Sequence, residues 1–522
     1  MQGYLGIELG STRIKAVLID ESFSSIAAGS FEWENKLEGG FWTYSMDDVW
    51  QGLKTCYGNL AEDYEKKFGE KLTQPDAIGI SAMMHGYLPF DKSGNQLTAF
   101  RTWRNTTTEE AAVKLSDLFS FNIPLRWSVA HIYQAILNKE SHIPEVDFLT
   151  TLSGYVHYRL TGEKVLGIGD ASGMFPIDSE RNDFHDGMLK QFDDLVVDSG
   201  MKRPLKEIMP KVLNAGESAG FLSEEGALLL DPTGNLKSGI PLCPPEGDAG
   251  TGMVATNSVT ELTGNISSGT SIFAMIVLEK ELSKNYPEID MVTTPAGNPV
   301  AMVHCNNFTS DIDAWVRLLR ETVQAFGADI DKDLFYETLY KKAMEADAAC
   351  GGLISYNYFA GEPITGTDEG RPLFVRMPDS TFTLANFFRT LVFSAMGTLK
   401  LGMDLLTENE KVNIKSLIGH GGFFRTKIIP QKLMAAALNV PITVMGSEGE
   451  GGAWGIALLA AYMTDNTSGQ KLGEYLSEKV FGENAGFTVE PDPADVQGFT
   501  EFMKMYVAGL EAEKAAIKGL KN

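Results

Sequence analysis

The sequence predicts an α/β protein built from two duplicated domains with a cleft between them. Its 522 residues exceed what one core can hold, because single cores stop growing near about 250–300 residues. Short apolar strands alternate with segments of helical spacing along the chain. Residues 3–20 and 260–278 also share one layout of strand, small-residue turn and strand. A repeat at a half-chain interval indicates a duplicated domain, and we expect domains at 1–256 and 257–522.

The first repeated stretch, GYLGIELGSTRIKAVLID, predicts a β-hairpin with an unusual tip. Two apolar strands, 4–9 and 14–19, flank the turn Gly10-Ser11-Thr12. Gly10 lets the backbone approach a ligand, and the next two residues add hydroxyl donors. Lys15 adds a positive charge, and Glu8 is placed to hold a cation through water. This combination suits the terminal phosphates of a nucleotide and Mg²⁺. An ordinary hairpin with a polar turn is the alternative.

The elements that follow in the first half are assigned from periodicity and turn residues. We expect helices at 46–68, 107–119 and 148–160, strands at 77–81 and 88–91, and loops at 166–178 and 241–252. The loop 241–252, PLCPPEGDAGTG, contains prolines, glycines and two acids. It precedes the expected domain boundary.

The second half opens with the repeated hairpin, whose turn is Ser267-Ser268-Gly269-Thr270. We expect helices around Trp315 and at 383–405, 427–438 and 452–463, strands at 416–422 and 441–445, and turns at 356–371 and 446–452. The charged tail 492–520 predicts an amphipathic helix on the surface.

Composition and charge exclude several functional classes. The net charge of −25 argues against nonspecific binding to nucleic acid or anionic membranes, so a phosphate site must be built locally. The four cysteines show no CxxC spacing, which indicates reduced, buried thiols and no zinc site. The longest apolar run, 454–463, is too short to span a bilayer, and no secretory signal is evident. We expect a soluble, cytoplasmic protein.

Several common phosphate and catalytic motifs are absent from the sequence. There is no GxxxxGK[ST], no GxGxxG after a strand, no HExxH and no GxSxG. Instead, two Gly/Ser/Thr hairpins in separate halves would clamp a nucleoside triphosphate across a cleft. A helix N-terminus after Gly421-Gly422 would help to position the nucleotide.

Motifs in order along nearly the whole chain resemble the FGGY family of carbohydrate kinases. They are ELGSTRIK, MMHG, RTWRN, LTGE, GDASG, EGDAGTGMVATN, SSGTS, YFAGEPI, GHGGFFRTKIIPQKLMAAALNVPI and EGEGGAWGIALLAAY. Each motif is weak by itself, and their shared order carries the resemblance. It implies the actin/hexokinase-like (ribonuclease H-like) fold, in two domains.

The resemblance assigns roles in phosphoryl transfer. Asp248 matches the general base that takes the proton from the attacking sugar hydroxyl; by itself it would be a turn acid in a Gly/Pro loop. The matched ATP-binding positions are Gly10, Ser11, Thr12, Lys15, Gly269, Thr270, Gly421 and Gly422. Glu8 is the expected metal position, and ATP and Mg²⁺ are the expected cofactors. Glu246 either raises the pKa of Asp248 or is solvated.

Sugar contacts are implied for Met84, His85, Trp103 and Asn105, together with Asp248. A lone histidine after a strand is otherwise typical of the core, and Met84 also suits packing. Trp103 either stacks on the sugar or fills the core. Asp170 is expected to support the sugar site structurally.

The sequence departs from the family pattern at three places. Glu8 stands where the first motif usually has Asp, which adds one methylene. Arg104-Asn105 replaces Asn-Asp, and Phe423-Phe424-Arg425 replaces smaller residues. These departures leave the sugar and the nucleotide preference open.

Three functions are therefore considered. The first is ATP-dependent phosphorylation of a sugar hydroxyl, with a ketopentose such as xylulose or ribulose as substrate. The second is a catalytically weak sugar- and nucleotide-binding sensor of the same fold, motivated by Glu8. An actin- or Hsp70-like ATPase with a protein partner is disfavoured by the sugar-loop resemblance. The resemblance also allows a homodimer, for which the sequence has no interface signal of its own.

Overall fold

The computed structural model describes residues 3–426, 428–445, 451–466, 469–482 and 486–521. Its strands in the first half are β1 (Tyr4–Leu9), β2 (Arg13–Ile19), β3 (Ser25–Glu32), β4 (Lys36–Glu38), β5 (Phe41–Thr43), β6 (Ala77–Ala82), β7 (Leu88–Phe90), β8 (Phe148–Thr150), β9 (Val165–Gly167), β10 (Ile177–Asp178), β11 (Asp183–Phe184), β12 (Lys211–Leu213) and β13 (Glu246–Gly247). Its strands in the second half are β14 (Thr263–Ser268), β15 (Ile272–Val277), β16 (Ile289–Thr293), β17 (Pro299–Cys305), β18 (Leu353–Tyr356), β19 (Leu373–Arg376), β20 (Ser416–Gly421), β21 (Ile442–Val444) and β22 (Phe487–Val489).

Helices connect and cover these strands. The α-helices of the first half are α1 (Met46–Phe68), α2 (Glu109–Phe119), α3 (Ser128–Leu137), α4 (Leu152–Thr161), α5 (Ile168–Ala171), α6 (Asp186–Leu195), α7 (Leu205–Ile208), α8 (Glu224–Leu230) and α9 (Asp248–Ala255). Those of the second half are α10 (Ser310–Ala325), α11 (Lys332–Ala343), α12 (Leu384–Asp404), α13 (Ile429–Leu438), α14 (Gly452–Asp465), α15 (Leu472–Tyr475) and α16 (Pro493–Gly519). Short 3₁₀ and π segments lie at Ile143–Glu145, Cys350–Gly352, Pro363–Thr365, Leu405–Asn409, Gly422–Arg425 and Leu476–Phe481.

The first sheet has the strand order β13-β6-β1-β2-β3. β1 pairs antiparallel with β2 and parallel with β6, and β6 pairs parallel with β13. In this register Glu8 on β1 lies opposite Lys15 on β2 and Ser81 on β6. The arrangement brings the first hairpin, the end of β6 and the end of β13 to one edge of the sheet.

The second sheet repeats this arrangement and extends it. Its order is β16-β17-β15-β14-β20-β21-β22. The inner five strands, β17-β15-β14-β20-β21, match the first sheet in both order and direction, because β14 and β15 are antiparallel while β14, β20 and β21 are parallel. The duplication predicted from the repeated hairpins is therefore confirmed in the strand order.

Helix α14 joins the two halves by lying directly on β1. A Cβ added at Gly6 would overlap the carbonyl oxygen of Ala453 and lie 2.8 Å from the amide nitrogen of Ala457, so the helix backbone touches the strand backbone. The Tyr4 hydroxyl donates to Asp465 Oδ1 over 2.7 Å. The expected boundary at 256–257 falls between α9 and β14, but α14, which follows it in sequence, covers the first sheet.

Some expected elements differ in the structure. Residues 148–160 are strand β8 followed by helix α4, because Thr151 caps the helix through its side chain and ends the strand. The expected loops 166–178 and 241–252 contain α5 and the start of α9, so Asp248 begins a helix. The tail forms α16 as predicted, but Phe502 and Tyr506 are fully buried, so the helix is also part of the second core. Most of the expected turn 446–452 lies outside the described residues.

The cysteine and membrane predictions can be compared with the structure directly. All four cysteines are buried and unpaired, as expected. Among the helices described, none has the length and apolar character needed to cross a membrane.

Candidate active site

The tip of the first hairpin is braced by aromatic residues that follow β3 and β5. Trp33 Nε1 donates to the Gly10 carbonyl oxygen over 2.7 Å, and its backbone N–H donates to the Thr12 oxygen over 3.2 Å. The Tyr44 hydroxyl donates to the Ser11 carbonyl oxygen over 2.6 Å. The two rings pack with centroids 4.2 Å apart. The tip carbonyls are thus turned into the protein, while the Thr12 side chain stays exposed.

The second hairpin is braced from the equivalent place in its own sheet. The backbone N–H of Phe308, just after β17, donates to the Thr270 oxygen over 2.9 Å. Thr309 Oγ1 donates to the Gly269 oxygen over 2.8 Å. Gly269 and Thr270 are both exposed. Both predicted phosphate turns therefore have fixed carbonyls and free outer faces, which sequence reasoning did not foresee.

Gly421 and Gly422 lie beside this second turn and differ in the space available for a side chain. Gly421 is opposite Ser268 in the β14–β20 pair and has φ of +98°, and an added Cβ would overlap the Ser268 oxygen. A Cβ added at Gly422 would meet nothing within 4 Å. The next two residues, Phe423 and Phe424, are buried. These large rings therefore fill the core and leave the Gly422 backbone open.

Glu8 occupies the junction between the first hairpin and helix α14. Its half-buried carboxylate lies against the start of that helix, where a Cβ added at Gly452 would lie 2.4 Å from Glu8 Oε1, and the backbone N–H groups of Gly452 and Ala453 are close enough to lower its pKa. Burial, with a smaller contribution from the nearby Asp248 carboxylate, raises the pKa of Glu8 to about 7, although Lys15 opposes the shift. The extra methylene of Glu thus brings the carboxylate to the helix N-terminus.

Asp248 is the first residue of α9 and lies against the loop that follows β6. Its Oδ1 accepts the backbone N–H of Met84 over 3.1 Å. Burial raises the pKa of Asp248 above the ordinary aspartate range, and hydrogen bonds from backbone N–H groups oppose the shift. A carboxylate with a raised pKa is a better proton acceptor than an exposed aspartate.

His85 is held in one tautomer by the turn that follows α5. Its backbone has φ of +71°, and its ring Nδ1 lies 3.2 Å from the Gly173 carbonyl oxygen. Because a carbonyl oxygen only accepts, Nδ1 carries the hydrogen and Nε2 has the lone pair. Burial, then the Arg126 charge, holds the pKa of His85 well below its usual range. The neutral ring can therefore accept a hydrogen bond through Nε2.

The RTWRN loop has one partly exposed aromatic side chain, Trp103, and polar side chains that bind the neighbouring β4–β5 hairpin. Trp103 is 41% exposed and donates through Nε1 to Ser11 Oγ over 3.1 Å, so it links the RTWRN loop to the first hairpin. Asn105 is buried; it accepts the Trp42 N–H at 2.8 Å and donates to the backbone oxygens of Trp42 and Thr102. Arg104 stacks on the Trp42 ring at 3.9 Å and donates to Asn35. Asn105 and Arg104 thus clamp the β4–β5 hairpin.

Two further carboxylates lie beneath Asp248. Glu246 is 1% exposed and accepts the backbone N–H groups of Gly169 and Asp170, at 3.2 and 2.9 Å. Asp170 is fully buried and accepts the hydroxyls of Thr151 and Ser153, at 2.7 and 2.5 Å. Of the two sequence alternatives for Glu246, the solvated one is therefore wrong, and the raised pKa of Asp248 is caused by its burial and not by Glu246. The expected structural role of Asp170 is consistent with these bonds.

Two family models match the chain. The N-terminal domain model of the FGGY family of carbohydrate kinases matches residues 3–254, and the C-terminal domain model matches residues 264–464. The chain belongs to the FGGY family of carbohydrate kinases. The FGGY resemblance stated from the motifs, and the two-domain fold it implied, are confirmed. As an FGGY kinase, the protein phosphorylates a sugar with ATP as donor.

Individual FGGY kinases resemble the chain at low sequence identity. The xylulose kinase of Haemophilus influenzae is 22% identical over 481 residues, which cover 86% of this chain and 91% of that protein. The ligand-bound xylulose kinase structure from Lactobacillus acidophilus matches with a TM-score of 0.80 at 17% identity, covering 99% of both chains. A gluconate kinase structure from the same species has a TM-score of 0.77 at 18% identity and covers 98% of both chains. These two structures support the fold.

The residues of this FGGY chain offer a fitting place for Mg²⁺ and ATP. Mg²⁺ prefers one or two carboxylates and keeps several waters, and Glu8 and Asp248 are close enough to influence one another. In the described part of the chain, no group of three or more His, Cys, Asp or Glu residues forms a metal cage. The turns at Thr12 and Thr270 are exposed, and the Gly422 backbone is open.

Proposed function

We propose that the protein transfers the γ-phosphoryl group of Mg-ATP to a hydroxyl of a ketopentose such as xylulose or ribulose, with Asp248 as general base. The observation that carries this proposal is the hydrogen bond from Met84 N–H to Asp248 Oδ1. This bond brings the proton acceptor beside the loop that carries His85. The bond supports the proposal because the motifs assign proton transfer to Asp248 and sugar binding to the loop that carries His85.

Asp248 supplies proton transfer in this proposal. One oxygen, Oδ1, is held by Met84, so the carboxylate has a fixed direction. Phosphoryl transfer is mainly positioning and charge stabilisation, to which a carboxylate adds orientation and deprotonation of the attacking hydroxyl. The raised pKa of Asp248, caused by burial, improves its strength as a base.

In this proposal the sugar is recognised by a hydrogen-bond acceptor and an aromatic face. Neutral His85 accepts a sugar hydroxyl at Nε2, and Trp103 provides a partly exposed aromatic face near the first hairpin. Met84 is almost fully buried and contributes its backbone and its packing. The side-chain NH₂ of Asn105 donates to the backbone oxygens of Trp42 and Thr102, and its oxygen accepts the Trp42 N–H. We therefore assign Asn105 to positioning of the loop.

The nucleotide phosphates lie between the two hairpins in this proposal. Gly10, Ser11, Thr12 and Lys15 face them from one side, and Gly269 and Thr270 from the other. Gly421 and Gly422 accommodate the adenosine. Mg²⁺, near Glu8, would neutralise charge on the phosphates. Domain closure would exclude water from the reacting groups.

The alternative is a sugar- and nucleotide-binding sensor of the same fold, and one observation favours it. The Glu8 carboxylate already lies against the N-terminus of α14, whose backbone N–H groups would compete with a metal for its lone pairs. Such a protein would bind both ligands with little turnover.

The test measures ADP release with Mg-ATP against ketopentoses, aldoses, polyols, glycerol and gluconate. Asp248→Asn is run in parallel, with Asp231→Asn as matched control, because Asp231 is a buried aspartate that accepts bonds from Thr233 and Leu236 away from this site. We expect one ketopentose to give strong turnover that falls by about 10²–10⁴-fold in Asp248→Asn only.

Other outcomes separate the proposals. Turnover on a different substrate class would refute the ketopentose assignment and keep the kinase. Binding of ATP and sugar without turnover would favour the sensor. A homodimer remains a prediction, checked by light scattering of the same preparation.

A further inference from the structure

Asp170 is a buried carboxylate without a cationic partner. No ion pair among the described residues includes it, and its Oδ2 is stabilised instead by the hydroxyls of Thr151 and Ser153. Its Oδ1 is buried and makes no hydrogen bond of good geometry. Burial without a counter-ion is unfavourable for a carboxylate, and it raises the pKa of Asp170 to about 7. Packing alone does not explain why a carboxylate is buried at this position.

Glu246 ties the strand that leads to Asp248 to the same short helix. Its two carboxylate oxygens accept the N–H groups of Gly169 and Asp170. A Cβ added at Gly169 would lie 2.5 Å from Glu246 Oε2, so the carboxylate lies directly on the backbone of that turn. Residues 246–248 are therefore fixed to residues 169–170 by side-chain to main-chain bonds.

Asp170 Oδ1 lies beneath the backbone that links Glu246 to Asp248. A Cβ added at Gly247 would lie 3.2 Å from this oxygen and 2.9 Å from Met84 Cγ. The backbone N–H of His85 is also close enough to lower the pKa of Asp170 slightly. The carboxylate is thus in contact range of both chain segments that form the site.

The contacts close into a ring around this carboxylate. Asp248 binds Met84 N–H, the adjacent His85 ring lies on the Gly173 oxygen, and Gly173 ends the turn that begins at Asp170. A Cβ added at Gly173 would lie 2.5 Å from His85 Nδ1 and 2.7 Å from Met84 Cε, so the His85 and Met84 side chains pack directly against the Gly173 backbone. A shift of Asp170 must therefore move either the base or the sugar-binding histidine.

We propose that Asp170 and Glu246 form a carboxylate strut that positions Asp248 against the sugar loop, so that Asp170 is a positioning residue for phosphoryl transfer. This inference rests on the function proposed above. An amide cannot replace Asp170, because one end must accept two hydroxyls. The amide NH₂ would then take the buried position of Oδ1, against the Gly247 backbone, where it adds two donors in place of an acceptor.

The test compares Asp170→Asn with Asp231→Asn, the matched buried aspartate. With Mg-ATP and the active sugar, Asp170→Asn is expected to lower kcat by about 10–100-fold, since misplacement by about 1 Å has this effect. The KM for ATP is expected to change by less than about threefold, because the strut does not touch the hairpins. Asp231→Asn is expected to keep the wild-type kcat.

Ser153→Ala provides a milder variant in case Asp170→Asn does not fold. It removes one of the two hydroxyls that bind Asp170 and leaves Thr151, which caps α4. We expect kcat to fall by a few-fold, since one hydrogen bond is lost, with an unchanged KM for ATP.

Hydrogen exchange gives a readout that does not depend on turnover. In ligand-free Asp170→Asn, peptides covering 83–86 and 246–250 are expected to exchange faster, while Asp231→Asn leaves them unchanged. Unchanged exchange together with unchanged kcat in a folded Asp170→Asn would overturn the proposal, as would an equal fall of kcat in Asp231→Asn. If the wild-type protein phosphorylates no sugar, the kinase proposal fails, and the exchange rates alone decide whether the strut exists.

Discussion

Gly421 is expected to tolerate no side chain, whereas its neighbour Gly422 tolerates one until a nucleotide binds. Gly421 has φ of 98° and ψ of −175°, a region essentially closed to other residues, which adds about 1–3 kcal/mol for Gly421→Ala. The new Cβ would overlap the Ser268 oxygen and lie 3.0 Å from the Ser268 carbonyl carbon. Separating β14 from β20 to relieve this overlap adds about 1–3 kcal/mol more. The variant is therefore destabilised by about 2–6 kcal/mol.

Gly422→Ala is the matched variant one residue away. Its Cβ meets nothing within 4 Å, so the ligand-free protein should unfold at the wild-type temperature. If ATP approaches this open backbone, the added methyl group should raise the Kd for Mg-ATP several-fold. Gly58→Ala, on an exposed face of α1, is the control for the melting assay; it should be neutral or stabilising by about 0.5–1 kcal/mol.

Thermal unfolding tests the predicted stability loss of Gly421→Ala, and calorimetric titration with Mg-ATP tests the predicted loss of affinity in Gly422→Ala. A Gly421→Ala protein that melts with the wild type would refute the steric reasoning. Wild-type ATP affinity in Gly422→Ala would show that the nucleotide does not approach this glycine. The two results are independent, since one concerns the ligand-free fold and the other the bound nucleotide.

Three further predictions concern the braces and carboxylates. Trp33→Phe loses the bond to the Gly10 oxygen, worth about 1 kcal/mol, and should raise the KM for ATP; a change confined to the sugar KM would contradict this. Glu8→Asp withdraws the carboxylate from the N-terminus of α14, so the ligand-free protein should lose about 1 kcal/mol of unfolding free energy and melt at a lower temperature, while turnover persists; an inactive variant that melts like the wild type would count against it. Burial and Asp170 raise the pKa of Glu246 to about 8 from its usual 4.5, so the contribution of this group to stability is fully present below that usual value and is lost as pH rises through 8. Glu246→Gln has no such proton, and its deficit in urea unfolding should be larger at pH 5 than at pH 8; a deficit that grows with pH would reverse the assignment.

Local sequence signals were sufficient for the hairpins and many of the helices. Strand alternation, the small residues of 10–12 and 269–270, and 3.6-residue periodicity act over a few neighbouring residues, so they can be recognised in the sequence alone. The predicted helix 46–68 matches α1, and the repeated hairpins correspond to β1–β2 and β14–β15. Asp248 was singled out by the order of motifs, although its loop context hid the start of α9.

The tertiary structure decided what local patterns could not. Whether Glu246 is solvated or buried depends on the backbone of 169–170, and whether Asn105 faces a ligand depends on Trp42, both far away in sequence. The aromatic braces at Trp33 and Tyr44 and the position of α14 on the first sheet have the same origin. The sequence by itself determined the duplicated α/β architecture and the family, because these depend on short-range periodicity and ordered motifs. Only the tertiary structure determined which polar side chains are available to bind a ligand. A side chain that is already hydrogen-bonded to a segment distant in sequence, as Asn105 is to Trp42, cannot use the same group for a ligand.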